Sequence, residues 1–304
     1  MTSPPPLLSV VVLSYARPAF LERALASVIA QPVADREIVV VDNRSASSEA
    51  VAAVVARVRE ARLLALPVNR GFAGGMNAGI ARARGRYVLL TEDDIVLEPG
   101  CLEALLEHGR ATGDRAVLTG VMLDDGTRRI RCAGGEIALG PPFQMRVIGA
   151  GEDLTAVPEA PYEVSFGPGA FLFFPKDTLR SLGGFRSEYF MYFEDVELCL
   201  RARRRGVPIV VVPLARAVHL PPNAGPAALR LEYHKCKNLL ATYLLHAPLR
   251  SLPSVAGRYV VLEAARRLRA GPARFAAFVG ACGWTLAHAA SLLRDRCRLQ
   301  PGSA

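Results

Sequence analysis

The sequence predicts an α/β fold: a mostly parallel sheet with helices on both faces, followed by a helical C-terminal extension. Three observations predict it. Apolar runs of strand length alternate with amphipathic stretches through roughly the first hundred residues. Those runs are apolar throughout, as strands covered on both faces are. After about residue 226 the pattern becomes wholly helical.

Taken in order, "LLSVVVLSY" reads as a buried strand, and "PAFLERALASVIAQ" as a helix with Pro18 at its first position. "EIVVVDN" is a second strand and "SSEAVAAVVARVREA" a second helix. "RLLALPVN" with "GGMNAGIARARG" repeats the pair, and "RYVLLTEDD" is a fourth strand. Repeated βα units imply right-handed crossovers and a Rossmann-like sheet. The pattern loosens after about residue 120, where "DDGTRRIRCAGGEIALGPPFQMRVIGAGED" is rich in turn residues and reads as hairpins or a loop. "GAFLFFP" and "VPIVVVPLARAVHL" are strands again, with a short helix at "KDTLRSLGGF" and another opened by Glu194 and Asp195. The expected division is a body over 1–225, with halves 1–120 and 121–225, and an extension over 226–304.

Charge divides the same way. Residues 1–234 balance 26 basic against 26 acidic side chains, whereas 235–304 hold 11 basic and 2 acidic, the whole net charge of +9. A basic tail on a neutral body suits an anionic membrane surface. No zinc spacing, RNP motif or helix-turn-helix accompanies it, so nucleic acid is not expected as a partner. Half of the residues are hydrophobic, which argues against disorder. The six cysteines form no CxxC pair, and "MTSPPPLLSV" lacks a basic leader region, so free thiols in a reducing cytoplasm are expected. Within the tail, Phe275 to Leu293 is apolar between flanking arginines. That segment has three readings: a span, an interfacial helix, or a helix packed on the body or on a second copy in a homodimer.

Ligands bind outside the carboxyl ends of parallel strands. Polar groups stand at five such ends: Ser14 to Arg17, Asp42-Asn43, Asn69-Arg70, Glu92-Asp93-Asp94 and His219. Each has two readings. Asp42 is placed to accept a ribose hydroxyl or to form a turn. Gly71, Gly74 and Gly75 precede a helix and serve either close approach to a diphosphate or a tight turn, without the GxGxxG spacing of dinucleotide sites. Glu92 and Asp94 present oxygens suited to Mg²⁺ or Mn²⁺, or form a solvated acidic turn. His219 is a nitrogen ligand for the same ion or a structural histidine.

Together, "SVVVLSYARPAFLERALASVIAQ", "VVVDNRSAS", "NRGFAGGMNAGI", "YVLLTEDDIVLEPG", "GAFLFFPKDTLRSLGGFRSEYFMYFEDVELCLRARRRG" and "VPLARAVHL" resemble the family 2 glycosyltransferases, particularly the rhamnosyltransferase-like branch. The resemblance covers about residues 8 to 220 in consistent order. It implies the glycosyltransferase A-type fold and transfer of a sugar, with inversion, from a nucleotide-diphosphosugar to an acceptor hydroxyl in cell-surface or secreted glycan synthesis. Carried over by position, Tyr15, Arg17, Asp42, Asn69, Gly71, Asn77 and Asp93 hold the donor. Asp94, Glu92 and His219 hold the divalent cation, Mg²⁺ or Mn²⁺. Glu92 departs from the family's usual Asp or Asn. Asp195 is the catalytic base, with Glu194, Gly169 and Tyr192 on the acceptor side. Tyr189, Phe190, Tyr192 and Phe193 either form a platform for the acceptor or pack the helix, and Arg201 is expected near the donor phosphates. dTDP-, UDP- and GDP-linked donors all remain open, as do glycan and lipid-linked acceptors. Two alternatives are weighed: a nucleotidyltransferase, disfavoured because "SYARPAF" has no glycine, and a non-catalytic sugar-nucleotide-binding protein.

Overall fold

Four short apolar strands in the first third of the chain build one half of the sheet. β1 (Leu8–Ser14), β2 (Arg36–Asp42), β3 (Ala61–Ala65) and β4 (Tyr87–Glu92) pair in parallel in the order β4-β1-β2-β3. They are linked by α1 (Pro18–Ile29), α2 (Ser48–Ala56) and α3 (Gly71–Ile80). In this computed structural model, residues 4–140, 144–221 and 228–299 are described. The expected body–extension boundary lies outside them. Along β1, Val10 and Val12 enter one apolar cluster while Val11 and Leu13 enter another on the opposite face. That period of two with both faces buried is why the run carries no polar alternation.

The second half is mixed. β5 (Ile95–Leu97) and α4 (Cys101–Ala111) lead to β6 (Val117–Asp124), and the loosened region supplies β7 (Ile130–Cys132), β8 (Gly135–Ile137), β9 (Met145–Val147) and β10 (Tyr162–Val164). β11 (Phe171–Pro175) then inserts antiparallel between β4 and β6. α5 (Lys176–Leu182) and α6 (Glu194–Arg204) precede β12 (Ile209–His219), which runs parallel to β6. Short loops join the antiparallel pairs β6–β7 and β8–β9, whereas the antiparallel pairings of β11 and of β5 with β12 are between segments distant in the chain. β12 also pairs antiparallel with β5, setting His219 opposite Ile95. This ladder brings His219 beside the acidic triplet, far away in sequence.

The extension begins with α7 (Ala228–His246), then α8 (Leu252–Ser254), a π-helical stretch (Val255–Val260), α9 (Val261–Arg269) and α10 (Pro272–Arg298). α10 buries Phe278, Ala281, Thr285, Leu292 and Arg296, a helical stripe facing α7. Its other face leaves Val279 and Leu286 exposed, as α9 leaves Val261, Leu262 and Leu268. Among the described residues α10 is the one helix long and apolar enough to cross a membrane, with 22% of its apolar window buried. The body is tied to this layer by Arg186–Asp295 at 2.7 Å, Tyr189–Thr242 at 3.0 Å and Glu197–His246 at 3.3 Å.

Candidate active site

The carboxyl ends of β1, β2 and β4 open onto a cleft of about 530 Å³, lined among others by Tyr15, Arg17, Asn43, Asn69, Gly71, Phe72 and Glu92. Phe190, Met191, Arg230 and Leu231 close its far side. A second polar recess of about 810 Å³ adjoins it, lined by Tyr15 and residues 44–50. Tyr15 belongs to both.

Arg17 organises the acids. Its guanidinium is paired with Asp93 and with Asp94, the latter at 2.5 Å. Burial works against its charge, but Asp93 and Asp94 outweigh it and raise its pKa. Asp93 is fully buried and also accepts from Ser14 Oγ at 2.8 Å and the Tyr15 amide at 3.0 Å. Burial nevertheless pushes Asp93 up to about 6. Glu92 is pushed further, to about 8, by burial and then by Asp94 and Asp93. The triplet is therefore a stack of mutually repelling acids that one arginine only partly neutralises. Added positive charge at this place would be stabilised.

Among the described residues no three Asp, Glu, His or Cys side chains converge on a common point to hold an ion by themselves. Two groups nonetheless fit one. Asp94 Oδ1 and His219 Nδ1 are buried without hydrogen-bond partners, and His219 Nε2 stands 3.7 Å from Asp94 Oδ2. Burial lowers the His219 pKa, which keeps the imidazole neutral and its lone pair available. One carboxylate and one imidazole, completed by substrate phosphates, make an acceptable set for a hard divalent ion.

The other expected donor residues divide. Asn69 Oδ1 accepts from the Gly71 amide at 2.8 Å, and Asn43 braces the same loop by donating to Gly71 O at 2.9 Å. Asp42 is taken up by Ser45 and Ser48, the turn-forming reading, and these two serines line the second recess. Asn77 does not line the cleft: its amide is spent on the backbone of Phe185, at 2.7 and 2.8 Å. Gly71 has φ +68°, and a Cβ there would lie 2.2 Å from Phe190 O. The missing side chain therefore makes room for the Phe190 backbone, while Gly71 itself lines the cleft.

Asp195 lies in the first turn of α6. Its Oδ2 accepts from the Gly169 amide at 2.9 Å and its Oδ1 from the Val196 amide at 2.7 Å. Burial raises its pKa while these amides pull it down. Glu194, buried and next to Asp195, is raised well above its ordinary value, and its Oε2 has no partner. A Cβ on Gly169 would meet Phe72 at 3.0 Å and Asp195 Cβ at 3.2 Å, so this glycine lets the carboxylate approach the cleft wall. The aromatic run splits between the two expected roles. Tyr189 packs on Ala241, Leu245 and Leu292, and Phe193 packs beside it. Phe190 lines the cleft, and half-buried Tyr192 carries the Lys235 ammonium 4.6 Å over its ring.

Arg201 is elsewhere than expected. It is buried against Glu197 at 2.6 Å and donates to the carbonyls of Leu182 and Gly184. Sequence reasoning names Asn43 at a strand end without giving it a role, and misses Arg230 and Asn238. Asn238 shows as a polar residue in register with buried Thr242 one turn on, and Arg230 has no signal beyond its charge.

An acidic triplet at a strand end and an acid-headed helix, on a sheet of this topology, make up the glycosyltransferase A-type fold. Solved structures agree on the fold. GalNAc-T7 with UDP, GalNAc and Mn2+ superposes with TM-score 0.63 at 14% identity, over 79% of this chain and 48% of that one. The mannosyltransferase PcManGT from Pyrobaculum calidifontis, in complex with GDP-Man and Mn2+, gives 0.57 at 16%, over 98% and 81%. Residues 9–145, a little under half of the chain, match the model of glycosyl transferase family 2. The succinoglycan biosynthesis protein ExoO of Rhizobium meliloti (strain 1021) is 38% identical over 110 residues, 36% of this chain and about a third (31%) of that protein's length. The N-acetylglucosaminyl-diphospho-decaprenol L-rhamnosyltransferase of Mycobacterium tuberculosis (strain ATCC 25618 / H37Rv) is 28% identical over 75% of this chain and 82% of its own.

Proposed function

We propose that the protein is an inverting glycosyltransferase that moves a hexosyl or deoxyhexosyl unit from a nucleotide-diphosphosugar to an acceptor hydroxyl, in a single displacement. The observation that carries this reading is the placement of Asp195: a buried carboxylate held by the Gly169 and Val196 amides, behind Phe72 of the cleft lining and near enough to the cleft-lining Glu92 to help raise its pKa. Asp195 takes the proton of the acceptor hydroxyl as that oxygen bonds to the anomeric carbon. The bond to the diphosphate breaks with its electrons passing to the phosphate oxygen. The raised pKa makes Asp195 a stronger base than an exposed carboxylate.

Tyr15, Asn69 and the polar recess beside Asp42 receive the nucleotide, and Arg17 moves between the triplet and the donor's phosphates. Asp94 and His219 hold a divalent cation, Mg²⁺ or Mn²⁺, with Glu92 joining once positive charge lowers its pKa. The ion, when bound, stabilises negative charge on the departing diphosphate. Mn²⁺ accompanies nucleotide or nucleotide sugar in both structural neighbours, which supports this.

A lipid-linked acceptor is favoured over a soluble one. The exposed apolar residues of α9 and α10 and the basic excess of 235–304 suit an anionic membrane face on the cytoplasmic side. The mycobacterial relative, by its name, acts on a diphospho-decaprenol. The test is a panel of dTDP-, UDP- and GDP-sugars incubated with the protein and Mg²⁺ or Mn²⁺, scored by nucleotide release. Release from one donor, abolished by chelation, is expected. No release and no binding from any donor would remove the proposal.

A further inference from the structure

Helix α7 lies beyond the residues that match the family, yet it reaches into the loop that presents the acids. We propose that Asn238 is a positioning residue for glycosyl transfer, clamping the backbone of residues 189–192 and so fixing the head of α6 with Asp195. The inference rests on the reading of Asp195 as the base.

The loop cannot hold its own shape cheaply. Phe190, Tyr192 and Phe193 have φ of 63°, 67° and 65°, a region that non-glycine residues avoid. Phe190, with ψ −60°, is the centre of a three-residue turn closed by the Met191 amide on Tyr189 O at 2.7 Å, the rare and strained hand of that turn. Phe193 caps α6 with no side-chain capping bond. Strain of this kind persists only where the surroundings over-determine the backbone.

Asn238 supplies that determination. Its Nδ2 donates to Tyr189 O at 2.8 Å, Met191 O at 2.8 Å and Tyr192 O at 2.7 Å. The remaining carbonyl, Phe190 O, accepts from the Ala73 amide in the first turn of α3 at 3.1 Å. Four consecutive carbonyls are thus held, three by the extension and one by the donor loop's helix. The amide has two N–H groups, so one is shared between two of the three carbonyls, and only the nitrogen end can serve these acceptors, which fixes the orientation of the side chain. Its Oδ1 is left buried without a partner, an unfavourable arrangement that the bonds at Nδ2 outweigh. Of the neighbouring contacts on α7, Lys237 Nζ donates to the carbonyl of Glu188, one residue before the clamped run, whereas His234 stacks on the Phe190 ring at 4.9 Å and Thr242 meets the Tyr189 hydroxyl at 3.0 Å. Asp195 follows Phe193 by two residues, so a shift of the loop is a shift of its carboxylate.

The test compares Asn238→Ala and Asn238→Asp with Thr242→Val, all in the full chain. Asn238→Asp keeps the shape but turns oxygens toward the carbonyls, and it serves if the alanine variant fails to fold. Thr242→Val removes the bond to the Tyr189 hydroxyl and one to the Asn238 backbone carbonyl, and leaves the Asn238 side-chain amide with its three carbonyls. The readouts are kcat, donor KM, nucleotide binding by calorimetry and the thermal midpoint. Both Asn238 variants should lose about 100-fold in kcat, the cost of roughly 1 Å of misplacement, while still binding nucleotide. Thr242→Val should lower the midpoint and leave kcat near wild type. Retained kcat in a folded Asn238 variant overturns the proposal. So does a loss of activity in all three variants that merely tracks their midpoints. A wild-type chain that turns over no nucleotide sugar overturns the functional reading and this one with it. An active wild type with an active Asn238→Asp overturns this one alone.

Discussion

At the scale of the residue, the same chemical type serves different ends according to what the fold puts beside it. Arg17 and Arg201 both read as phosphate-binding cations in the sequence. Arg17 faces the cleft on Asp93 and Asp94, whereas Arg201 is sealed on Glu197 and two carbonyls. Arg201→Met should therefore cost about 3 kcal/mol of stability, the usual penalty for stranding a buried charge, and leave donor KM unchanged. Chemical denaturation and steady-state kinetics on one preparation separate the two effects. Gly71 is similarly constrained by a neighbour. Gly71→Ala must shift Phe190 O and adopt φ +68°, so it should destabilise by about 1–3 kcal/mol and lower activity as the loop moves. An alanine variant as stable as wild type would mean that the contact is not tight.

Among the elements, α6 is where structure and chemistry meet. Its first turn sets Glu194 and Asp195 near Glu92 of the cleft, and Glu197 is held in an ion pair with Arg201 and a contact with His246 of α7. Burial opposes the Glu197 charge, but Arg201 and His246 outweigh it and bring the carboxyl down to about 2. The folded pKa lies below the unfolded value, so this contribution is complete above about pH 4.5 and fades as pH falls toward 2. Burial also lowers the pKa of His246, so the fold resists its protonation and stability starts to fall below about pH 6.5. Denaturation midpoints from pH 7 to 3 should decline in wild type, and Glu197→Gln should flatten the lower part of that decline. The strands and most helices were legible because burial on both faces leaves a plain apolar run. The antiparallel entry of β11 was not, since "GAFLFFP" carries no mark of direction. The acids of the site were legible by type and position at strand and helix ends. Their partners were not: pairing of Arg17 with Asp93, or of Asn238 with three carbonyls, depends on contacts between distant segments.

For the whole molecule, the extension is a packed layer with one face on the body and another exposed. Leu262, Leu268 and Leu286 on that face are 60%, 59% and 77% exposed. Together with the basic excess, they lead to binding of anionic vesicles that weakens as salt rises, and to little binding of neutral ones. Cosedimentation should show this, with Leu262→Asp plus Leu286→Asp reducing the bound fraction. Equal binding to neutral vesicles would place the weight on the apolar face alone.

The central claim is that Asp195 is the base, and Asp195→Asn tests it most directly. Transfer to the acceptor should be measured from pH 5 to 9 beside nucleotide binding by calorimetry. The account predicts unchanged nucleotide binding, a fall in kcat of about 10²–10⁴-fold, and loss of the acidic limb that wild type shows as its Asp195 takes up a proton. Sugar transfer by Asp195→Asn at the wild-type rate, or with the acidic limb intact, would contradict it.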